Sequence, residues 1–387
     1  MTAPSLPQSL PMALTDAIIF TGEVFVENQA LLVKDGKIVD LIHNDKVPDD
    51  FKITTCANHI LAPGFIDCQV NGGGNVLLNA TPTVKGVLAI AAAHRKSGTT
   101  RLLPTCITDT PEVMAAATAA TRQARKSDPS ILGIHLEGPH ISEEYSGAHN
   151  VALVRPLSET DFQTHRAESG ECFIVTLAPE QVTPEQIARL VKQGVIVSLG
   201  HTQATTEQTR AALAAGAKGF THLFTRMPPV KGRSSTVVGV ALDDAQSWCG
   251  MIADGHHVTP ELMRIAVRAK AKDKLFLVSD SAAPAGADNP QPFDWCGQKV
   301  FPQKDYCVNE QGVVSGAMLT LGECVPRCIR DVRLDPEKVL RMASTIPAEF
   351  LGLGDRLGKL LPTYAADIVM LDHSFKTQKV WKDGEPN

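Results

Sequence analysis

Apolar residues change their rhythm along this chain. From Ala17 the runs Ala-Ile-Ile-Phe, Val-Phe-Val and Ala-Leu-Leu-Val-Lys-Asp-Gly-Lys-Ile-Val-Asp-Leu-Ile are short and rich in β-branched side chains, which predicts strands. Within the third run, Asp35-Gly36 has the composition of a two-residue hairpin turn needing positive φ. A β unit of roughly 45 residues buries too little to stand alone, so another segment should complete it. The candidate is Ala366-Asp-Ile-Val-Met-Leu-Asp372, a strand pattern with no helix after it.

Between these ends, strand patterns alternate with helical ones. The candidate strands are residues 64–70, 99–105, 131–137, 172–178, 195–201, 218–223, 249–254 and 275–280. Helical stretches stand between many of them, including 183–193 (opening Thr-Pro-Glu-Gln), 205–215 before Gly216, and 259–270. Eight such units over roughly 290 residues predict a (β/α)8 TIM-like barrel. The expected α/β architecture is this barrel over residues 61–354, a small β-sandwich domain built from both chain ends (14–60 plus 355–387), and a loose N-terminal tail at 1–13. A doubly wound sheet is the alternative, but Asn71-Gly-Gly-Gly74 lacks the spacing and acidic follower of a dinucleotide fingerprint. It reads instead as a loop where backbone approaches a ligand closely.

Composition narrows the partners. A net charge of −5 over 387 residues, with no basic stripe interleaved with aromatics, excludes a nucleic-acid binder. The nine cysteines form an odd set without a Cys-x-x-Cys pair, so they read as small buried hydrophobes in a reducing, cytoplasmic setting. Residues 1–13 lack a basic region followed by an apolar one, and no 18 apolar residues run together, so neither export nor a membrane span is expected.

The candidate chemistry lies at strand ends. In a barrel the C-terminal ends of the strands converge on one face, which would gather Glu137, His201, His222 and Asp280. One carboxylate and two imidazoles suit Zn²⁺ or a similar divalent ion with a position left for water, and Asp280 can receive that water's proton. His149, on the loop after the third strand, can reach a substrate carbonyl, and His257 follows the seventh strand. His135 lies two residues before Glu137 and reads as a satisfied core histidine, while His43, His94, His165 and His373 read as solvated. Arg226 and Arg233, after the sixth strand, offer the positive potential that a phosphorylated ligand needs.

These residues sit in recognisable strings. His135-Leu-Glu-Gly-Pro139, Thr176-Leu-Ala-Pro-Glu180, Gly200-His-Thr202, Thr221-His-Leu-Phe224 with Met227-Pro228, Ile252-Ala-Asp-Gly255 with His257-Val258, and Asp280 with Ala283-Pro-Ala-Gly286 appear in order. Together the strings resemble the N-acetylglucosamine-6-phosphate deacetylase family of the amidohydrolase superfamily. Ala62-Pro-Gly-Phe-Ile-Asp67 and Ala366-Asp-Ile-Val369 resemble the usual entry to and exit from its barrel.

The resemblance implies Glu137, His201 and His222 as metal ligands and Asp280 as general base and acid. It implies that His149 polarises the acetamide carbonyl and that His257 reaches the sugar phosphate or a hydroxyl. Arg233 would reach across a homodimer to the neighbouring subunit's phosphate. Gln69 and Asn71 stand where many amidohydrolases carry a His-x-His for a first metal, which implies one divalent ion per subunit, Zn²⁺ by preference. The expected reaction turns N-acetylglucosamine 6-phosphate into glucosamine 6-phosphate and acetate. Thr225-Arg226 departs from the family's usual Asn-Ala, which leaves N-acetylgalactosamine 6-phosphate, or another N-acyl sugar, as the alternative substrate. A non-catalytic scaffold on the same fold is the remote alternative.

Overall fold

All eight predicted barrel strands form, in the computed structural model, as Phe65–Val70, Thr99–Ile107, Gly133–Glu137, Cys172–Leu177, Ile196–Leu199, Gly219–Phe220, Trp248–Ile252 and Leu275–Val278. Each pairs in parallel with the next. The sheet closes on itself where the eighth strand returns to the first: the Asp280 N–H donates to the Gln69 carbonyl at 3.0 Å, and Val70 bridges Ser281. Every residue of the first four strands is buried, as expected when helices cover the outside and side chains fill the inside. The structure describes residues 11–312 and 314–387, so most of the expected N-terminal tail, residues 1–10, lies outside the described residues.

Helix starts follow the capping chemistry. Thr183 and Thr205 form capping boxes with Gln186 and Gln208, and Thr259 accepts from the Leu262 N–H. Such caps are worth about 1 kcal/mol each. They open Pro184–Lys192, Thr206–Ala214 and Pro260–Ala269, and the first buries Ile187 and Leu190 against the barrel.

Both chain ends build the β-sandwich. One sheet orders Lys37–His43, Gln29–Lys34, Met12–Thr15 and Lys52–Thr55; the other orders Glu385–Pro386, Thr377–Lys382, Ile368–Leu371, Ile60–Pro63, Ile18–Phe20 and Phe25–Val26. Asp35 and Gly36 have φ of 51° and 73°, the backbone of the predicted hairpin turn. Leu14, Ile19, Leu61, Ile368 and Trp381 are buried together in the sandwich's own core.

A buried ion pair ties the barrel to the C-terminal strands. Arg101, on the second barrel strand and 5% exposed, donates to Asp367 from Nε at 2.5 Å and from Nη2 at 3.0 Å, and also bonds Asp383. Arg101→Ala strands these carboxylates, so an unfolding free energy lower by about 3–5 kcal/mol is expected in a urea titration. An unchanged midpoint would contradict this.

Three features depart from the apolar pattern. His43 and His373 are exposed as expected, but His94 and His165 are buried. His94 packs inward from the helix Val84–Arg95 and its Nε2 bonds the Gly72 carbonyl at 2.9 Å, while His165 closes a short helix against Phe173. The glycine run approaches protein backbone rather than a ligand: a Cβ on Gly72 would lie 2.4 Å from the Val76 carbonyl oxygen and 2.8 Å from Ala283. Finally, an unforeseen antiparallel sheet of Phe293–Trp295, Gln298–Pro302, Tyr306–Asn309 and Val314–Ala317 follows the eighth strand.

Candidate active site

Three of the four strand-end residues share one backbone device. His201, His222 and Asp280 each stand two residues beyond their strands, with φ of 48°, 32° and 50°, where the apolar runs predict strand. Left-handed backbone costs a residue with a Cβ about 1–2 kcal/mol, and here it ends each strand at the barrel mouth. Glu137 is the last residue of its own strand, which Gly138-Pro139 stops. All four side chains line one cavity of about 370 Å³.

The donor atoms form a tight triangle. Glu137 Oε1 lies 3.1 Å from His201 Nε2 and 2.9 Å from His222 Nε2, and the two nitrogens are 3.0 Å apart. The His201 Nδ1–H donates to the Tyr145 carbonyl at 2.8 Å, which leaves the lone pair on Nε2 and aims it into the triangle. Burial pushes the Glu137 carboxyl up, but the hydrogen bonds to His201 and His222 outweigh it and hold the group well below its usual range. An ionised carboxylate and two converging imidazoles are a donor set that can hold a divalent metal ion.

Asp280 is set apart from this triangle. Its Oδ1 accepts from Gln69 Nε2 at 3.0 Å and Asn71 Nδ2 at 2.7 Å, and Gln69 also donates to Glu137 Oε1 at 3.0 Å. Both amides therefore present N–H donors to carboxylates. Burial, and next the charge of Glu137, raise the Asp280 carboxyl above its ordinary value. Its Oδ2 has no hydrogen-bond partner among the described residues.

Two more histidines face the cavity in different states. His149 Nδ1 lies 3.3 Å from the Thr108 backbone N–H and 2.7 Å from Thr108 Oγ1. Accepting from a backbone donor puts the ring proton on Nε2. Burial, and then His201, push this imidazole well below the ordinary histidine value, so it is neutral. Gly138 makes that contact possible, since a Cβ there would sit 2.2 Å from Thr108 Oγ1 and its φ is +85°. His257 is the opposite case: burial would lower it, but the 2.7 Å bond to Asp254 and that carboxylate's charge raise it instead.

The sequence profile of the amidohydrolase family matches residues 60–386. The chain belongs to the amidohydrolase family. Among relatives, it is 39% identical to an N-acetylgalactosamine-6-phosphate deacetylase of Shewanella sp. (strain ANA-3), covering 95% of this chain and 94% of that one. It is 31% identical to the N-acetylglucosamine-6-phosphate deacetylase of Haemophilus influenzae, covering 94% and 96%. The crystal structure of N-acetylglucosamine-6-phosphate deacetylase from Pasteurella multocida superposes with a TM-score of 0.93 at 32% identity, covering 97% and 99%.

The rest of this amidohydrolase's cavity is lined by both polar and apolar side chains. Thr225 and Arg226 line it, and Thr225 Oγ1 is buried without a hydrogen-bond partner among the described residues. Arg226 is exposed, with φ of 53°. Arg233 is also exposed but lies outside the residues lining the cavity. Trp295 and Ser315, from the unforeseen antiparallel sheet, complete its lining.

Sequence reasoning missed Thr108, Asp254 and that sheet. Asp254-Gly255 carries a readable signal, because the Asp254 side chain accepts from the His256 and His257 N–H groups at 2.9 and 3.0 Å, as aspartates before turns do. Thr108 has none, since its partner is 41 residues away.

Proposed function

We propose that this amidohydrolase hydrolyses the N-acetyl group of N-acetylglucosamine 6-phosphate, giving glucosamine 6-phosphate and acetate in amino-sugar catabolism. The observation that carries this reading is the convergence of Glu137, His201 and His222 in one cavity with Asp280, whose Oδ2 is left free. Glu137, His201 and His222 would hold one divalent ion, Zn²⁺ by donor preference. The chemistry supplied by such an ion is activation of water near neutral pH and polarisation of the amide carbonyl.

The side chains supply the rest. Asp280 Oδ2 takes the proton of the attacking water and returns it to the departing nitrogen, and a raised carboxyl suits both transfers. His149 donates its Nε2–H to the acetamide oxygen, where negative charge develops. Asp254 holds His257 for the sugar phosphate or a hydroxyl. Thr225 Oγ1 and the Arg226 guanidinium take the remaining phosphate contacts.

Arg226→Ala is expected to raise KM for the phosphorylated sugar by about tenfold or more, with little change for the free sugar, as loss of a charge-assisted bond predicts. Equal effects on both sugars would remove Arg226 from the phosphate site. The higher identity to the Shewanella relative, together with Thr225-Arg226, favours a second reading in which N-acetylgalactosamine 6-phosphate is the better substrate. Acetate release from both N-acetylhexosamines, each with and without 6-phosphate, decides between them. The reading fails if the free sugars are turned over as well as their phosphates.

A homodimer belongs to the same proposal, with exposed Arg233 reaching the neighbouring active site. Its test is Arg233→Ala, which should raise KM for the phosphorylated sugar without dissociating the dimer in light scattering. Nine free thiols support a reducing, cytoplasmic setting. Among the described residues, no helix is long and apolar enough to cross a membrane.

A further inference from the structure

A second set of metal-ligating side chains converges outside the cavity. His140 lies just past the third barrel strand, and Asp161 and His165 come from the short helix Glu159–Thr164 and the residue that caps it. The three are 0%, 4% and 3% exposed, and their ligand atoms lie within 4.8 Å of one another.

Hydrogen bonds fix which ring nitrogen carries the proton. His140 Nδ1 lies 3.0 Å from the Arg155 carbonyl oxygen, which only accepts, so Nδ1 is protonated and Nε2 bears the lone pair. Thr164 Oγ1 donates to the Asp161 carbonyl at 3.1 Å and so accepts from His165 Nδ1 at 3.0 Å, which leaves a lone pair on His165 Nε2 as well. Neither Nε2 has a hydrogen-bond partner among the described residues. Burial holds both imidazoles down at about 4, so both are neutral at physiological pH. The Asp161 carboxyl is raised by burial, but bonds from Arg155 and Ser158 outweigh this and keep it ionised.

Asp161 Oδ2 stands 3.9 Å from His140 Nε2. The two Nε2 lone pairs therefore lie beside the Asp161 carboxylate with no donor of their own, an arrangement that is costly when dry, while Oδ2 itself already accepts from Arg155 and from the Ser158 N–H and Oγ–H. Arg155, at 2.6 Å from each carboxylate oxygen, and Ser158 fix the orientation of Asp161, as the hydrogen-bonding neighbours of metal ligands do. Asp161 and His165 also line a surface cavity of about 910 Å³.

The geometry points to a second metal site, in which His140 Nε2, His165 Nε2 and the Asp161 carboxylate hold a divalent cation with the ligand preference of Zn²⁺. The ion ties residue 140 to residue 165. It thereby closes the segment carrying the Tyr145 carbonyl, which orients His201, and His149. Its role is to position that segment rather than to touch substrate.

Metal-stripped full-length protein titrated with Zn²⁺ alone, with bound metal counted by mass spectrometry, tests this. Wild type should bind two equivalents, and Glu137→Gln and His165→Gln should each bind one. Zn²⁺ should also raise the Tm of Glu137→Gln but not that of the double variant. If His165→Gln does not fold, Glu137→Gln alone decides. The proposal is overturned if Glu137→Gln binds no metal or if folded His165→Gln still binds two equivalents. A cluster that holds only water gives the first result. Failure of the catalytic reading would instead leave Glu137→Gln with the wild-type stoichiometry.

Discussion

Asp280→Asn is expected to lower kcat by about 10³-fold while leaving the fold and the bound ion in place. The side chains are nearly isosteric, and an asparagine oxygen can still accept from Gln69 and Asn71 as Asp280 Oδ1 does. What is lost is the free Oδ2, which asparagine replaces with an amide that cannot take a proton. KM should move little, since the proposed role of the group is toward the water rather than the sugar. Circular dichroism, metal content and kcat measured together check the claim. A variant that folds, holds metal and turns over near the wild-type rate would remove Asp280 from the proton path.

Metal removal should have an effect of similar size. Stripping the protein with a chelator is expected to lower turnover on the order of 10³-fold or more, because activation of water and polarisation of the carbonyl are lost together. Without a cation, Glu137 Oε1 and the two Nε2 atoms can satisfy one another only by sharing protons across the triangle of 2.9 to 3.1 Å. Added Zn²⁺ should restore the rate, whereas His222→Ala should stay inactive at the same Zn²⁺ concentration. Full activity in the stripped protein would contradict the role given to these ligands.

The barrel was readable because eight apolar runs alternate with helices whose Thr caps are written in the sequence. Strand ends were not: Thr221-His222-Leu223 continues an apolar pattern, yet the left-handed φ of His222 ends pairing at Phe220. The antiparallel sheet that lines part of the cavity escaped because its first hairpin turns on Cys296-Gly297, with φ of 53° and 81°, rather than on Asn-Gly or Asp-Gly.

The histidines divide the same way. Residues 87, 90, 91 and 94 form one helical stripe, so the burial of His94 was written in the periodicity. The helix ending at Thr164 has 6 residues, too short for a stripe to assign His165 a face. Glu137, His201, His222 and Asp280 were readable because strand ends of a closed barrel must meet. Thr108 and Asp254, which orient His149 and His257, act through contacts that only the folded chain brings together.

Acetate release from N-acetylglucosamine 6-phosphate in ¹⁸O-water tests the central claim most directly. Metal-loaded wild type should yield acetate carrying solvent oxygen, in step with the appearance of free amine, and the stripped protein should yield neither. Acetate release that ignores metal loading, or no release from either hexosamine 6-phosphate, would contradict it.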